Sequence, residues 1–194
     1  EIYDAMMLGI EAFNCESLQE IFVINEMAHL HGVKANISVR INPDIDAHTH
    51  KYVTTGLYEN KFGISNHEFD KLIEFIQKSE HINFFGLHFH IGSQITRVEE
   101  VFSLECKRVN EIVKYFESKG LTVNNINLGG GLGVDYDDPD GNPIADFETW
   151  FKAISDNIVR RPNQNVHVEP GRSLVAQCAS LISRVLFVKS GETK

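Results

Sequence analysis

The stretch that decides the fold is Leu87-His88-Phe89-His90-Ile91-Gly92-Ser93-Gln94, which closes an apolar run that starts at Ile82. The run is rich in phenylalanine, isoleucine and leucine and predicts a buried strand, and a glycine directly after it allows a tight turn. Side chains two residues apart on a strand share a face, so the two histidines point the same way. They are either a pair of satisfied core histidines or part of a functional site where the strand ends.

Two later stretches repeat this arrangement of glycines and polar groups directly after a short apolar run. They are Leu128-Gly129-Gly130-Gly131-Leu132-Gly133 and Val168-Glu169-Pro170-Gly171-Arg172-Ser173. Three such strand ends in one chain favour a functional site over isolated core histidines.

Length and composition indicate a globular domain with one sizeable core. The chain has 194 residues, of which 42% are hydrophobic and 23% are charged. A net charge of -9 without a run of lysine or arginine argues against nucleic acid or a membrane surface as a partner and favours a small molecule. The three cysteines show no spacing typical of a disulfide framework or a zinc cluster, so we expect a reducing, cytoplasmic compartment.

Helical and strand-like patterns alternate along the chain. Helices are predicted over residues 2–8, 17–31, 65–76, 101–116 and 147–158, with Ser17 and Ser65 each opening a capping box. Strands are predicted over residues 10–15, 37–42, 82–90, 123–128, 166–168 and 181–188. The long polar segment 44–63 is predicted to be a functional loop, with a solvated surface excursion as the alternative.

The alternation predicts an α/β fold with a parallel sheet and right-handed crossovers. No Gly-x-Gly-x-x-Gly opens a helix after the first strand, and polar clusters follow several successive strands, which favours a TIM (β/α)8 barrel over a doubly wound sheet. Because so few strands cannot close an eight-stranded barrel, we expect a partial barrel truncated at both ends, cut from a longer protein.

The glycine triplet at residues 129–131 is either an anion cradle, in which backbone N–H groups reach a phosphate, or a packing turn. Barrels often bind phosphate with their last two strand-to-helix loops, and this triplet and the Gly171-Arg172 turn lie in the last two loops here. Glu169 ends its strand at the same mouth. A cradle, a carboxylate and an imidazole together suit a phosphorylated aromatic cofactor.

The set of motifs resembles the fold type III, alanine-racemase-like family of pyridoxal-phosphate-dependent decarboxylases, and within it most closely the branch that acts on diaminopimelate. The matching segments are residues 40–43, 50–56, 61–64, 86–94, 128–131 and 169–173. They occur in the same order as in the family and span most of the chain.

The resemblance implies pyridoxal 5'-phosphate as cofactor and a role for each matching residue. His90 would stack on the pyridine ring, and Glu169 would pair with the ring nitrogen and keep it protonated. Arg172 would bind the substrate carboxylate, with some contact to the phosphate. Arg40 would brace the cofactor or serve an interior structural role, and His88 would support its neighbours. The phosphate would be held by Ser93, Gly129, Gly130, Gly131 and Gly171.

The resemblance also implies that the complete enzyme releases CO2 from meso-2,6-diaminopimelate to give L-lysine, as a cytoplasmic homodimer. Residues 1–180 would be part of the barrel, and residues 181–194 would start the connection to a C-terminal β-domain. The lysine that anchors the cofactor would precede Glu1, so this chain alone would be inactive.

Two alternatives stay open at this point. One is another decarboxylase of the same family, acting on ornithine, lysine or carboxynorspermidine. The other is a metal-dependent barrel hydrolase that uses His88 and His90 as ligands, with His167 or Glu169 from a later strand end. That second alternative leaves the glycine triplet without a use, and we expect no metal.

Overall fold

The computed structural model describes residues 1–43 and 62–191. Its helices are α1 (Ile2–Met7), α2 (Leu18–Leu30), α3 (Phe69–Lys78), α4 (Val98–Ser118), α5 (Phe147–Asn157) and α6 (Arg172–Val175), and a 3₁₀ turn (Asn66–Glu68) precedes α3. Its strands are β1 (Phe13–Cys15), β2 (Ala35–Arg40), β3 (Ile82–His88), β4 (Asn125–Asn127) and β5 (Asn165–His167).

The five strands form one parallel sheet in the order β1-β2-β3-β4-β5. Strands that follow one another both along the chain and across the sheet, with helices between them, are the arrangement of a (β/α)8 barrel, whereas a doubly wound sheet reverses its order at a switch point. The predicted α/β partial barrel is confirmed. It places the loops after all five strands along one edge.

The core lies between this sheet and the connecting helices. The predicted alternation in β2 is confirmed, because Ile37, Val39 and Ile41 are at most 1% exposed and pack into one hydrophobic cluster with α2, α3 and α4. Removing a side chain of this size from water stabilises the fold by about 1.5–3 kcal/mol. The opposite face of the sheet is polar, with hydrogen bonds between asparagines of neighbouring strands, as in the Asn83–Asn36 pair at 2.7 Å.

Strand β3 carries one more residue than its neighbour β2. Ile37 pairs with Phe84, yet the next residue of β2, Ser38, pairs with Gly86, so Phe85 is the extra residue of a β-bulge. Side chains alternate along a strand, and one inserted residue therefore exchanges the faces of all residues that follow it.

The two predicted capping boxes have different outcomes. Ser17 caps α2, since its hydroxyl accepts a hydrogen bond from the Glu20 N–H at 3.2 Å, and the Glu20 carboxylate accepts one from the Glu16 N–H at 2.7 Å. The prediction for Ser65 is wrong, because its side chain makes no capping bond. The 3₁₀ turn moves the start of α3 to Phe69, so the Ser-x-x-Glu spacing no longer reaches the helix N-terminus.

Two further predictions concern segments outside the sheet. The strand predicted over 181–188 is wrong: these residues form no strand, and Leu181 is 97% exposed. A strand needs a neighbour for its backbone hydrogen bonds, and the described residues place none beside this segment. The loop predicted over 44–63 lies outside the described residues up to position 61. None of the described helices is long and apolar enough to span a membrane.

Candidate active site

Three loops meet at the carboxyl edge of the sheet, one each after β3, β4 and β5. The Glu169 N–H donates to the Gly129 carbonyl at 2.6 Å, and the Ile95 N–H donates to the Gly131 carbonyl at 2.8 Å. The Gly130 N–H donates to Nδ1 of His90 at 3.4 Å. These bonds join the glycine triplet to the loop on either side, so the predicted site residues of the last three strands lie together.

Each glycine of the triplet faces the backbone of a neighbouring loop. A Cβ at Gly129 would lie 2.3 Å from the carbonyl oxygen of Phe89, and a Cβ at Gly131 would lie 2.2 Å from that of Gly92. At Gly130 it would lie only 1.8 Å from the Glu169 carbonyl oxygen. Each of the three positions therefore accepts only glycine, because a Cβ there would collide with a carbonyl oxygen of a neighbouring loop.

The amide groups of the triplet are not equally available to an anion. The Gly129 N–H donates to Oδ1 of Asn127 at 2.9 Å, and the Gly130 N–H is engaged by His90. Within residues 1–43 and 62–191, the structure gives no acceptor to the N–H groups of Gly131 and Gly171. Both of these glycines have positive φ angles, 100° and 50°. Of the four glycine N–H groups, these two are thus the ones that the described residues leave available to an acceptor.

Glu169 stands where β5 ends, next to side chains from β3 and β4. Nδ2 of Asn127 donates to its Oε1 at 2.8 Å, and Nε2 of His88 lies 3.5 Å from the same oxygen, too far for a hydrogen bond. The carboxylate is about half exposed, and no described donor contacts Oε2. Glu169 therefore offers one fixed and one accessible oxygen at the mouth.

His88 is a buried imidazole, 7% exposed, and neither of its ring nitrogens has a hydrogen-bond partner among the residues that the structure describes. Burial lowers the pKa of His88, and the positive charge of Arg40 adds to this effect, while the nearby Glu169 carboxylate opposes it. Burial dominates, so His88 is neutral beside Glu169 at neutral pH.

His90 and Ser93 lie on the loop after β3. His90 is partly buried and accepts the Gly130 N–H at Nδ1, which places its own proton on Nε2. Ser93 is exposed, directly after Gly92. Both can reach a molecule at the edge of the sheet.

Arg172 begins α6, and its side chain contacts residues of the loops after β3 and β4. Its Nη1 donates to Oε1 of Gln94 at 3.1 Å, and its Cζ lies 5.8 Å from the ring centroid of Tyr136. The guanidinium is exposed and is held by these two contacts.

Arg40, at the end of β2, lies next to the residue that follows β1 and to the segment before the 3₁₀ turn. Its guanidinium pairs with the Glu16 carboxylate and lies over the Phe62 ring, 5.1 Å from the centroid. The second oxygen of Glu16 accepts the Gly63 N–H at 2.8 Å. These contacts join the ends of β1 and β2 to the segment before the 3₁₀ turn and support the interior structural role.

Three residues of this edge were not found by sequence reasoning. Asn127 belongs to an Asn-Ile-Asn strand whose alternation indicates that it faces away from the helices, but nothing in that pattern points to Glu169. Gln94 ends the quoted histidine motif without an assigned role, and nothing in the sequence around Glu16 points to its pairing with Arg40. Their partners are 24 to 78 residues away in sequence.

The hydrolase alternative requires further ligands next to the two histidines. Among the described residues, no three histidine, cysteine, aspartate or glutamate side chains are grouped as a metal site would need. His167, the suggested additional ligand, instead contacts Oδ1 of Asn125 at 3.3 Å.

Comparison with known proteins gives a consistent result. The sequence profile of the family described as "Pyridoxal-dependent decarboxylase, pyridoxal binding domain" matches residues 1–176. The chain is 46% identical over 194 residues to diaminopimelate decarboxylase of Bacteroides thetaiotaomicron and 36% identical over 194 residues to that of Haemophilus influenzae. All of this chain is aligned in both cases, with 50% and 46% of the relatives' lengths.

The fold comparison agrees with the sequence comparison. The crystal structure of diaminopimelate decarboxylase from Helicobacter pylori complexed with L-lysine superposes with a TM-score of 0.76 at 35% identity, over 90% of this chain and 43% of that one. The chain thus spans about half the length of the relatives that it matches.

Proposed function

Because the chain belongs to the pyridoxal-binding domain family of pyridoxal-dependent decarboxylases, we propose that its full gene product removes CO2 from meso-2,6-diaminopimelate and releases L-lysine. The diaminopimelate decarboxylases that share 46% and 36% identity with the whole chain support this choice of substrate. The observation that carries the proposal is the Glu169 carboxylate, which Asn127 fixes through one oxygen beside a turn that only glycine can form.

The residues at the carboxyl edge fit pyridoxal phosphate. When bound, this cofactor supplies an electron-accepting ring that stabilises the negative charge left on carbon as CO2 departs. The accessible oxygen of Glu169 would hold a proton at the ring nitrogen, since an anion beside a basic nitrogen favours its protonated form. His90 would cover one face of the ring and exclude water from it.

The phosphate would be bound by groups from three loops. These are the N–H groups of Gly131 and Gly171, which have no acceptor among the described residues, and the hydroxyl of Ser93, which is exposed. Gly129 and Gly130 would contribute by shaping the turn and not by donating. Arg172 would bind a carboxylate of the substrate, a group that its planar guanidinium can meet with two parallel hydrogen bonds.

The remaining parts of the proposal concern the whole protein. Residues 1–180 would form part of the cofactor-binding barrel, as the profile match to residue 176 supports, and residues 181–194 would lead to a further domain. We infer a homodimer and a lysine outside this chain that anchors the cofactor. The three cysteines are free, and two of them are buried, which suits a reducing cytoplasmic compartment.

The test is a decarboxylation assay on the full gene product loaded with pyridoxal phosphate. CO2 release is measured with meso-2,6-diaminopimelate and, in parallel, with L-ornithine, L-lysine and L-arginine. We expect turnover of diaminopimelate alone. Faster release from one of the other amino acids would assign the protein to another branch of the family, and release from none of them would refute the proposed activity.

A further inference from the structure

We propose that Gln94 is a positioning residue that holds the guanidinium of Arg172 for recognition of the substrate carboxylate and that fastens the loop after β3 to the loop after β4. The inference rests on the proposed function, in which Arg172 binds that carboxylate. It assigns a role to a side chain whose hydrogen bonds within the described residues go to Val134 and Arg172.

The side chain of Gln94 pairs with the backbone of Val134 in both directions. Its Nε2 donates to the Val134 carbonyl at 2.5 Å, and its Oε1 accepts the Val134 N–H at 3.2 Å. Next to these bonds, Ile95 and Leu132 form a parallel bridge. The amide of Gln94 therefore replaces a backbone amide and extends the pairing of the two loops beyond β3 and β4.

The same oxygen also accepts the hydrogen bond from Nη1 of Arg172 at 3.1 Å. A carbonyl oxygen has two lone pairs, and Val134 and Arg172 use both of them. Since Arg172 is exposed, and its other described contact is the ring of Tyr136, Gln94 provides its only directional restraint within the described residues. One amide thus connects the loops after β3, β4 and β5.

The backbone conformation at Gln94 supports this positioning role. Its φ is +60°, in the left-handed region that residues with a Cβ rarely adopt. Glycine would take this conformation without strain, but it would lack all three hydrogen bonds. Strained backbone held in place by side-chain contacts is found most often at functional sites.

The first variant is Gln94→Gly in the full gene product, because it suits the positive φ of the backbone while it removes the side chain that makes the three hydrogen bonds. We expect KM for meso-2,6-diaminopimelate to rise at least about ten-fold, the effect of one lost hydrogen bond to a charged group, while kcat changes less than about three-fold. An unchanged KM would overturn the proposal.

The second variant, Gln94→Glu, separates the two contacts. Its carboxylate still accepts from Arg172 but cannot donate to the Val134 carbonyl. We therefore expect its KM to be close to that of the wild type, with most of the increase seen in Gln94→Gly absent. If its KM is as high as that of Gln94→Gly, the bond to Arg172 is not what Gln94 contributes.

A double-mutant cycle with Arg172→Ala provides the decisive comparison. If Gln94 acts through Arg172, Gln94→Gly adds no further increase in KM once Arg172 is absent. Independent, additive effects would contradict the proposed positioning role. Asn163→Gly is the matched control, since Asn163 has a φ of +63° in the turn before β5, and its KM is expected to stay at the wild-type value.

Two readouts do not depend on catalysis and so distinguish a failure of this inference from a failure of the proposed function. Hydrogen exchange of the Val134 amide should accelerate in Gln94→Gly. Labelling of Arg172 by phenylglyoxal, followed by mass spectrometry, should be faster in Gln94→Gly than in wild type or Gln94→Glu. If neither rate changes, Gln94 does not restrain these groups, whatever substrate the enzyme uses.

Discussion

The Nε2 atom of His88 lies 3.5 Å from Oε1 of Glu169, although the two residues come from strands that are separated by β4. Asn127, at the end of that intervening strand, donates to the same oxygen at 2.8 Å. One oxygen of the carboxylate is thus oriented by Asn127, with the His88 ring nearby, and the other faces the mouth of the site. A fixed carboxylate with one accessible oxygen can hold a proton on a bound heterocycle.

Glu169→Gln should lower kcat for CO2 release by about two orders of magnitude, roughly 3 kcal/mol of barrier, because a neutral amide does not hold a proton on the ring nitrogen. Glu169→Asp should be less damaging and limited by its reach. The measurements are kcat and the visible absorbance of the bound cofactor, which should be largely retained. Glu148→Gln, at an exposed position in the first turn of α5, is the control, and a near-normal kcat in Glu169→Gln would refute the role.

His88 should make stability depend on pH on the acid side. Its pKa in the folded protein is lowered by burial, so the unfolded chain takes up a proton more readily, and stability falls as the pH drops below the ordinary histidine value of 6.5. His88→Gln should reduce this loss. Urea unfolding at pH 8 and pH 5 measures it, with exposed His67→Gln as control, and parallel curves for His88→Gln and wild type would contradict the expectation.

Glu105 on α4 should make stability depend on pH in the opposite direction to His88. It is fully buried, neither oxygen has a hydrogen-bond partner in the described part of the chain, and burial raises its pKa well above the ordinary value of 4.5. The folded state therefore retains the proton, and stability declines as the pH rises above 4.5 toward the folded pKa. Glu105→Gln, which has the shape of the protonated acid, should flatten this decline. The free energy of unfolding, measured from pH 4 to pH 9, tests this expectation, and Glu99→Gln at an exposed position is the control.

Gly130→Ala should destabilise the protein by about 1–3 kcal/mol, because the added methyl group meets the Glu169 carbonyl and must displace the end of β5. Cofactor affinity should fall as well, since Glu169 moves with that backbone. Gly141→Ala is the matched control, because its methyl group meets only the side-chain carboxylate of Asp138, which can turn away. Equal unfolding free energies for the two variants would show that the triplet is not tightly packed.

Most of the architecture could be predicted from the sequence because it depends on local patterns. The Ser17 cap, the Ile37-Val39-Ile41 stripe and the order of helices and strands follow from spacing between near neighbours. The strand predicted over 181–188 failed because an apolar run specifies only a tendency, and the hydrogen bonds of a strand depend on a neighbour elsewhere in the chain.

The candidate site was likewise predictable only as far as local motifs describe it. The motifs predicted that His90, the glycine triplet and Glu169 belong together, and the loops do meet. The partners that orient them were not predictable, since Asn127 and Gln94 act through contacts 42 and 78 residues away in sequence. The pairing of Arg40 with Glu16 was likewise not predictable, because it joins two strand ends whose proximity no local spacing encodes.

The bulge in β3 has a consequence for how this active site could be lost or acquired. Before the bulge, Phe84 stacks on Phe116 of α4, and after it His88 is in register with Arg40 and Asn127. If Phe85 paired with Ser38 and no bulge formed, Leu87 would lie opposite Arg40 in the place of His88, and the imidazole would turn toward the helices. The candidate site could thus be lost by a change of strand pairing alone, with every residue of the histidine motif retained, and a motif search does not register such a change.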